Sequence, residues 1–179
     1  MSLSAATFLP GLLLLILGLP LALGLSGAIA LLKGFPRSGS AAVAFFGAGA
    51  VWFLINVWNL SPADFGEYRT PLFVFFGAVA LLAFKYVPDF LAVRGVCALV
   101  LLSGSPFLKA AYMEYAYGQR LFMVSLVYVA VTLAIWLGAQ PWRMRDFLEW
   151  LFRTPSRSRG AGWLLVGYGL LLCVVAFTY

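Results

Sequence analysis

Histidine is absent from this chain, and charged side chains make up only 10% of it, against roughly 25% in an ordinary soluble domain. Without histidine, the commonest ligand for haem, zinc and copper is missing. The two cysteines, Cys97 and Cys173, both lie inside apolar runs, where a thiol behaves as a small hydrophobe. We therefore expect no cofactor and no metal site.

Recognisable catalytic motifs are missing as well. The chain has no glycine-rich phosphate loop, no Gly-x-Ser-x-Gly elbow and no His-Glu-x-x-His. Asp64 and Glu67 share one short connector with Tyr68, but carboxylates in a hydrated loop stay ionised and make a poor acid/base pair. No acidic residue falls in the middle of an apolar run, whereas proton-coupled or ion-coupled transport needs a buried ionisable group. The sequence thus argues against an enzyme and against active transport.

Apolar residues, by contrast, make up 64% of the chain, and its mean hydropathy is +0.99. A helix that crosses a bilayer needs roughly 20 such residues. Six stretches meet this requirement, at residues 8–32, 40–60, 71–87, 91–112, 121–139 and 160–177. We predict an all-α integral membrane protein with six transmembrane helices, in which residues 1–179 form a single polytopic domain.

The first apolar run could alternatively be a signal sequence that is cleaved near Gly24 or Ala28. Signal sequences normally have a basic start and a shorter apolar core. The residues before Phe8 contain neither lysine nor arginine. We therefore interpret this run as a retained span.

The distribution of basic residues predicts an orientation. Nine of the twelve lysines and arginines lie in or close to alternate connectors: Lys33, Arg37, Lys85, Arg94, Arg143, Arg145, Arg153, Arg157 and Arg159. The positive-inside rule places these connectors in the cytoplasm and both termini outside it. This layout is three consecutive helical hairpins, each turning at a basic connector. An internal triplication is an alternative reading, but any six-span protein that obeys the rule shows the same periodicity.

The connector before the last span has the pattern of a short amphipathic helix at residues 142–153. Met144, Phe147, Leu148 and Leu151 fall on one face and charged residues on the other. Glu149 and Arg153 are spaced for an ion pair. Such a helix is typical of the membrane interface. We expect it to bridge two spans; the alternative is docking of lipid or of a protein partner through Trp142, Arg143, Arg145, Trp150 and Arg153.

Polar residues inside the spans are few. Asn56 and Asn59 share a face of the second span, and Ser103 and Ser105 precede Pro106 in the fourth. A carboxamide in hydrocarbon needs a hydrogen-bond partner. These four residues are candidates for interhelical contacts or for a polar pathway.

The segment Lys33-Gly34-Phe35-Pro36-Arg37-Ser38, followed by Ala41-Ala42-Val43 and Phe45-Phe46-Gly47, resembles the same region of the urea and short-amide channel family. Members of that family are also small and have six spans, so the resemblance implies a passive channel. It covers about 20 of the 179 residues. The later helices match none of the family's pore residues, and no site is transferred.

Two hypotheses about function follow. The first is a non-catalytic scaffold or accessory subunit of a bacterial inner-membrane complex, which associates with itself or with another membrane protein and meets anionic lipid headgroups on its cytoplasmic side. The alternative is a passive channel for small neutral solutes. The charge of +6 is spread over short connectors, so nucleic acid is not an expected partner.

Overall fold

The computed structural model describes all residues from 1 to 179 and consists of helices without any strand, which confirms the all-α prediction. The α-helices are α1 (Leu3–Ala22), α2 (Ser26–Gly34), α3 (Gly39–Ala41), α4 (Gly47–Trp58), α5 (Arg69–Tyr86), α6 (Leu91–Ala111), α7 (Arg120–Ala139), α8 (Trp142–Leu151) and α9 (Pro155–Ala176). A π-helical turn, Ala42–Phe46, joins α3 to α4. Six helices are long and apolar enough to cross a membrane, as predicted.

The first apolar run is divided, although one continuous span was predicted over residues 8–32. Helix α1 ends where Gly24 adopts a left-handed backbone with φ 69°. The Leu25 N–H donates to the Pro20 carbonyl at 2.9 Å and the Gly24 N–H donates to the Leu21 carbonyl at 3.0 Å, which is the glycine-terminated Schellman cap. Hydropathy alone does not register this stop, because the residues beyond it are equally apolar.

The chain forms two compact units. The first comprises Met1–Lys33, Ser103–Leu133 and Arg145–Tyr179, and the second comprises Gly34–Leu102 and Ala134–Met144. Each unit has its own buried side chains.

In the first unit, α1 and α9 approach each other at glycines. A Cβ atom on Gly11 would lie 3.0 Å from the Gly169 carbonyl oxygen, and one on Gly18 would lie 3.0 Å from the Gly162 carbonyl oxygen. The pairing of early α1 with late α9 makes the two helices antiparallel. Gly11 and Gly18 are seven residues apart on α1, as are Gly162 and Gly169 on α9. Each pair therefore lies on one face of its helix. Small residues permit this backbone-to-backbone packing.

A buried apolar cluster joins the ends of α6 and α7 to the same unit. It comprises Leu3, Ala6, Ala111, Met123, Val127 and Leu172. The Arg120 side chain donates a 2.7 Å hydrogen bond to the carbonyl of Ala111, the last residue of α6, and its guanidinium lies 4.7 Å from the ring of Tyr115. Arginine thereby satisfies a carbonyl that has no partner within its own helix.

In the second unit, three pairs of aromatic rings connect the second span to α5. The pairs are Phe46 with Phe84 at 5.3 Å, Phe53 with Phe76 at 5.1 Å, and Trp58 with Phe73 at 5.5 Å, all edge to face. Ascending positions on one helix meet descending positions on the other, so the two run antiparallel. Edge-to-face geometry is the favourable arrangement for aromatic quadrupoles.

The π-helical turn packs directly on α6 in this unit. A Cβ atom on Gly95 would collide with the backbone of Phe46 and would lie 2.6 Å from the carbonyl carbon of Phe45. Only a glycine allows the backbones to approach this closely. The predicted series of three hairpins stays a prediction; the close pairs described within the units are α1 with α9 and α4 with α5.

Candidate functional site

Helix α8 provides most of the predicted docking residues. It begins after the buried Pro141 and ends at Leu151, while α9 begins at Pro155, so a proline lies on either side of it. Leu148 and Leu151 are buried, whereas Phe147 is exposed and its ring stacks on Trp150 at 6.0 Å. The amphipathic pattern is therefore present, and the interfacial position of this helix stays a prediction.

The ion pair that forms on α8 differs from the predicted Glu149–Arg153 pair. Arg145 donates from Nη2 and Nε to one carboxylate oxygen of Asp146, at 2.7 and 2.9 Å, and its Nε lies 3.8 Å from Glu149. The hydrogen bond and the charge of Asp146 raise the pKa of the Arg145 guanidinium above its usual value, and Glu149 adds to this effect. Arg153 lies beyond Leu151, the last residue of α8, so it is not placed one helical turn from Glu149, whereas Arg145 is.

Arg145 and Arg153 come together with a third cation around a cleft. The cleft has a volume of about 370 Å³ and is lined by Lys33, Arg145, Leu148, Glu149, Phe152 and Arg153. The Lys33 ammonium lies 5.8 Å from the centre of the Phe152 ring, within cation–π range. Neither Lys33 nor Arg153 forms an ion pair with a carboxylate. The cleft thus has two uncompensated cations.

The other predicted docking residues make separate contacts. Arg143 stacks 5.1 Å from the Trp136 ring and its Nε donates to the side chain of Gln140. Trp150 is covered on one face by the guanidinium of Arg157 at 4.9 Å. Trp142 is exposed. These residues do not line the cleft.

The predicted polar residues of the spans lie as follows. The Asn56 side chain is exposed and makes no hydrogen bond, while the Asn59 side-chain amide donates to the Ile55 carbonyl at 2.9 Å. Ser103 is half-buried and Ser105 is exposed. The polar pathway stays a prediction.

The second unit contains a larger cavity, of about 440 Å³, between the second span, α5 and α6. Its walls are entirely apolar and include Phe46, Phe53, Phe76 and Leu101. None of the four predicted polar residues lines it. An apolar cavity offers no hydrogen-bond partners to a small polar solute.

No protein-family model, no curated protein and no solved structure matches this chain. The resemblance to the urea and short-amide channels accordingly gains no support from these comparisons.

Lys33 is the cleft residue that the sequence prediction missed. It was counted only as one basic residue of the first connector, more than a hundred positions from α8. The positive-inside rule places the connector of Lys33 and that of α8 on the same side of the membrane, which was the only indication in the sequence that they could meet. The fold brings Lys33, in the last turn of α2, to the same cleft as Arg145 and Arg153.

Proposed function

We propose that this chain is a non-catalytic polytopic membrane protein that acts as a scaffold or accessory subunit by associating through α5. The proposal is supported by a mismatch between the burial and the hydropathy of that helix. Helix α5 buries none of its side chains, whereas each of the other five spans buries some. Its most apolar stretch also has the lowest mean hydropathy among the corresponding stretches of the six spans.

Lipid would favour the opposite arrangement, in which the most apolar span is the most exposed, because exposed side chains face hydrocarbon there. A second protein surface tolerates a less apolar helix and gains van der Waals contact from it. Gly77, with open space where its Cβ would lie, would allow close approach. A second copy of the chain and a different membrane protein are both partners of this kind.

Photocrosslinking in membranes tests the proposal. Leu81 on α5 is 74% exposed and Leu164 on α9 is 71% exposed, so they form a matched pair of positions for a benzoylphenylalanine side chain. We expect a crosslinked protein band from position 81 and none from position 164. Bands of equal intensity at both positions, or none at either with a monomeric mass in mild detergent, would contradict the proposal.

A passive channel for small neutral solutes has less support, because the cavity beside the second span has only apolar walls. Liposome flux distinguishes the two functions. A scaffold predicts no flux that depends on Asn56 or Ser105. Loss of solute flux in Asn56→Ala or Ser105→Ala, with wild-type flux present, would favour the channel.

A further inference from the structure

We infer that the cleft between α2 and α8 binds the headgroup of a single anionic phospholipid, with its phosphodiester held by Lys33 and Arg153. This inference is independent of the partner proposed for α5. It concerns a defined site rather than a general attraction of a basic protein to a membrane.

Charge is the first argument. Three cations and one carboxylate line the cleft, namely Lys33, Arg145 and Arg153 against Glu149, which leaves a net charge of +2. Arg145 is engaged by Asp146 through both Nε and Nη2, so it contributes to anion binding mainly through the electrostatic field of its charge. Arg153 makes no side-chain hydrogen bond or ion pair and can present two parallel N–H groups to phosphate oxygens. Lys33 adds a compact point charge on the opposite helix.

The walls of the cleft argue for a lipid rather than for a free anion. Leu148, which is buried, and Phe152, which is half-buried, both line it. A ligand that places a phosphate between Lys33 and Arg153 would set its next atoms against these two apolar side chains. A phospholipid provides glycerol and acyl carbons there, whereas inorganic phosphate provides none.

The position of the cleft along the chain agrees with this ligand. Arg153 lies two residues before Pro155, the first residue of the spanning helix α9, and Lys33 lies in the last turn of α2. A cation next to the end of a spanning helix, as Arg153 is, lies at headgroup depth, and basic pockets there are typical sites for anionic lipids.

The test uses the full chain in neutral detergent, with native mass spectrometry after addition of phosphatidylglycerol or of phosphatidylcholine with the same acyl chains. We expect one phosphatidylglycerol per chain and no comparable retention of phosphatidylcholine. Lys33→Gln and Arg153→Gln should each weaken binding about fivefold, because a cation near a lipid surface contributes about that factor. Glu149→Gln should strengthen binding, since it removes the only carboxylate of the lining.

Arg37→Gln is the matched control, because Arg37 is exposed, belongs to the same basic connector as Lys33 and stacks on Phe90 outside the cleft. It should leave retention unchanged. An equal loss in Arg37→Gln and Lys33→Gln would show diffuse attraction and overturn the inference. So would retention of phosphatidylcholine at the same level, or displacement of the lipid by glycerol 3-phosphate at similar concentration. Lys33 and Arg153 are exposed, so an unchanged melting temperature should confirm that the variants fold.

Discussion

Substitution of Gly162 by alanine should separate α1 from α9 and destabilise the first unit. A Cβ atom at this position would collide with the backbone nitrogen of Ala22 and would lie 2.7 Å from the carbonyl carbon of Leu21. Backbone atoms cannot rotate away as a side chain can, so the helices must move apart. Overpacking of this kind costs about 1–3 kcal/mol.

Gly167→Ala is the matched control for this prediction. Gly167 lies on the same helix, and a Cβ atom there would meet nothing within 4 Å. Both substitutions gain the same helix propensity, at most about 1 kcal/mol. The difference between the two variants therefore isolates the packing cost, and we expect Gly162→Ala to be less stable than Gly167→Ala by about 1–3 kcal/mol.

Unfolding in mixed micelles with increasing dodecyl sulfate, followed by tryptophan fluorescence, measures this difference. The chain has six tryptophans, which supply the signal. Equal midpoints for the two variants would refute the close approach of α1 and α9. A lower midpoint for Gly167→Ala than for Gly162→Ala would refute it as well.

Three further predictions concern other contacts. Gly95→Ala should lower the unfolding midpoint in the same assay, since its Cβ would meet the backbone of the π-helical turn, while Gly47→Ala, with open space around it, should not. Arg120→Gln should cost about 1.5 kcal/mol, because the last carbonyl of α6 loses a charge-assisted hydrogen bond; amide exchange between α6 and α7 should then accelerate, and unchanged exchange would contradict the role of this contact. A double-mutant cycle of Phe53→Leu and Phe76→Leu should give a coupling of about 0.5–1.5 kcal/mol, and a coupling near zero would argue against their edge-to-face contact.

The spans were predictable because hydropathy and length report them directly. The prediction for the fourth span, residues 91–112, agrees with Leu91–Ala111 to within one residue. The agreement is close because charged or polar residues follow this helix, as they also follow α7. The first span was misjudged at Gly24, where the stop is conformational and the hydropathy continuous. The amphipathic pattern at residues 142–153 predicted the helix Trp142–Leu151 but paired Glu149 with the wrong cation, because α8 ends at Leu151 and Arg153 lies beyond it.

Helix pairing was the least predictable property. Closely spaced glycines do not by themselves identify the helix contact: of Gly167 and Gly169, only Gly169 packs on α1, and Gly167 is open. The informative spacing was seven, between Gly11 and Gly18 and again between Gly162 and Gly169. One such spacing is common by chance in an apolar chain with 18 glycines, so it acquires meaning only when a second helix repeats it.

The same reasoning explains why the cleft could not be deduced from α8 alone. An isolated amphipathic helix with several arginines predicts a broad affinity for anionic surfaces. The specificity of the cleft depends on Asp146 engaging Arg145 while Arg153 stays free. It also depends on Lys33, which lies on α2, the helix that begins directly after the cap at Gly24. Without that cap, α1 would continue in a straight line and Lys33 would lie elsewhere. The helix end at Gly24 is thus a condition for the cluster of Lys33, Arg145 and Arg153, and hydropathy predicts neither of them.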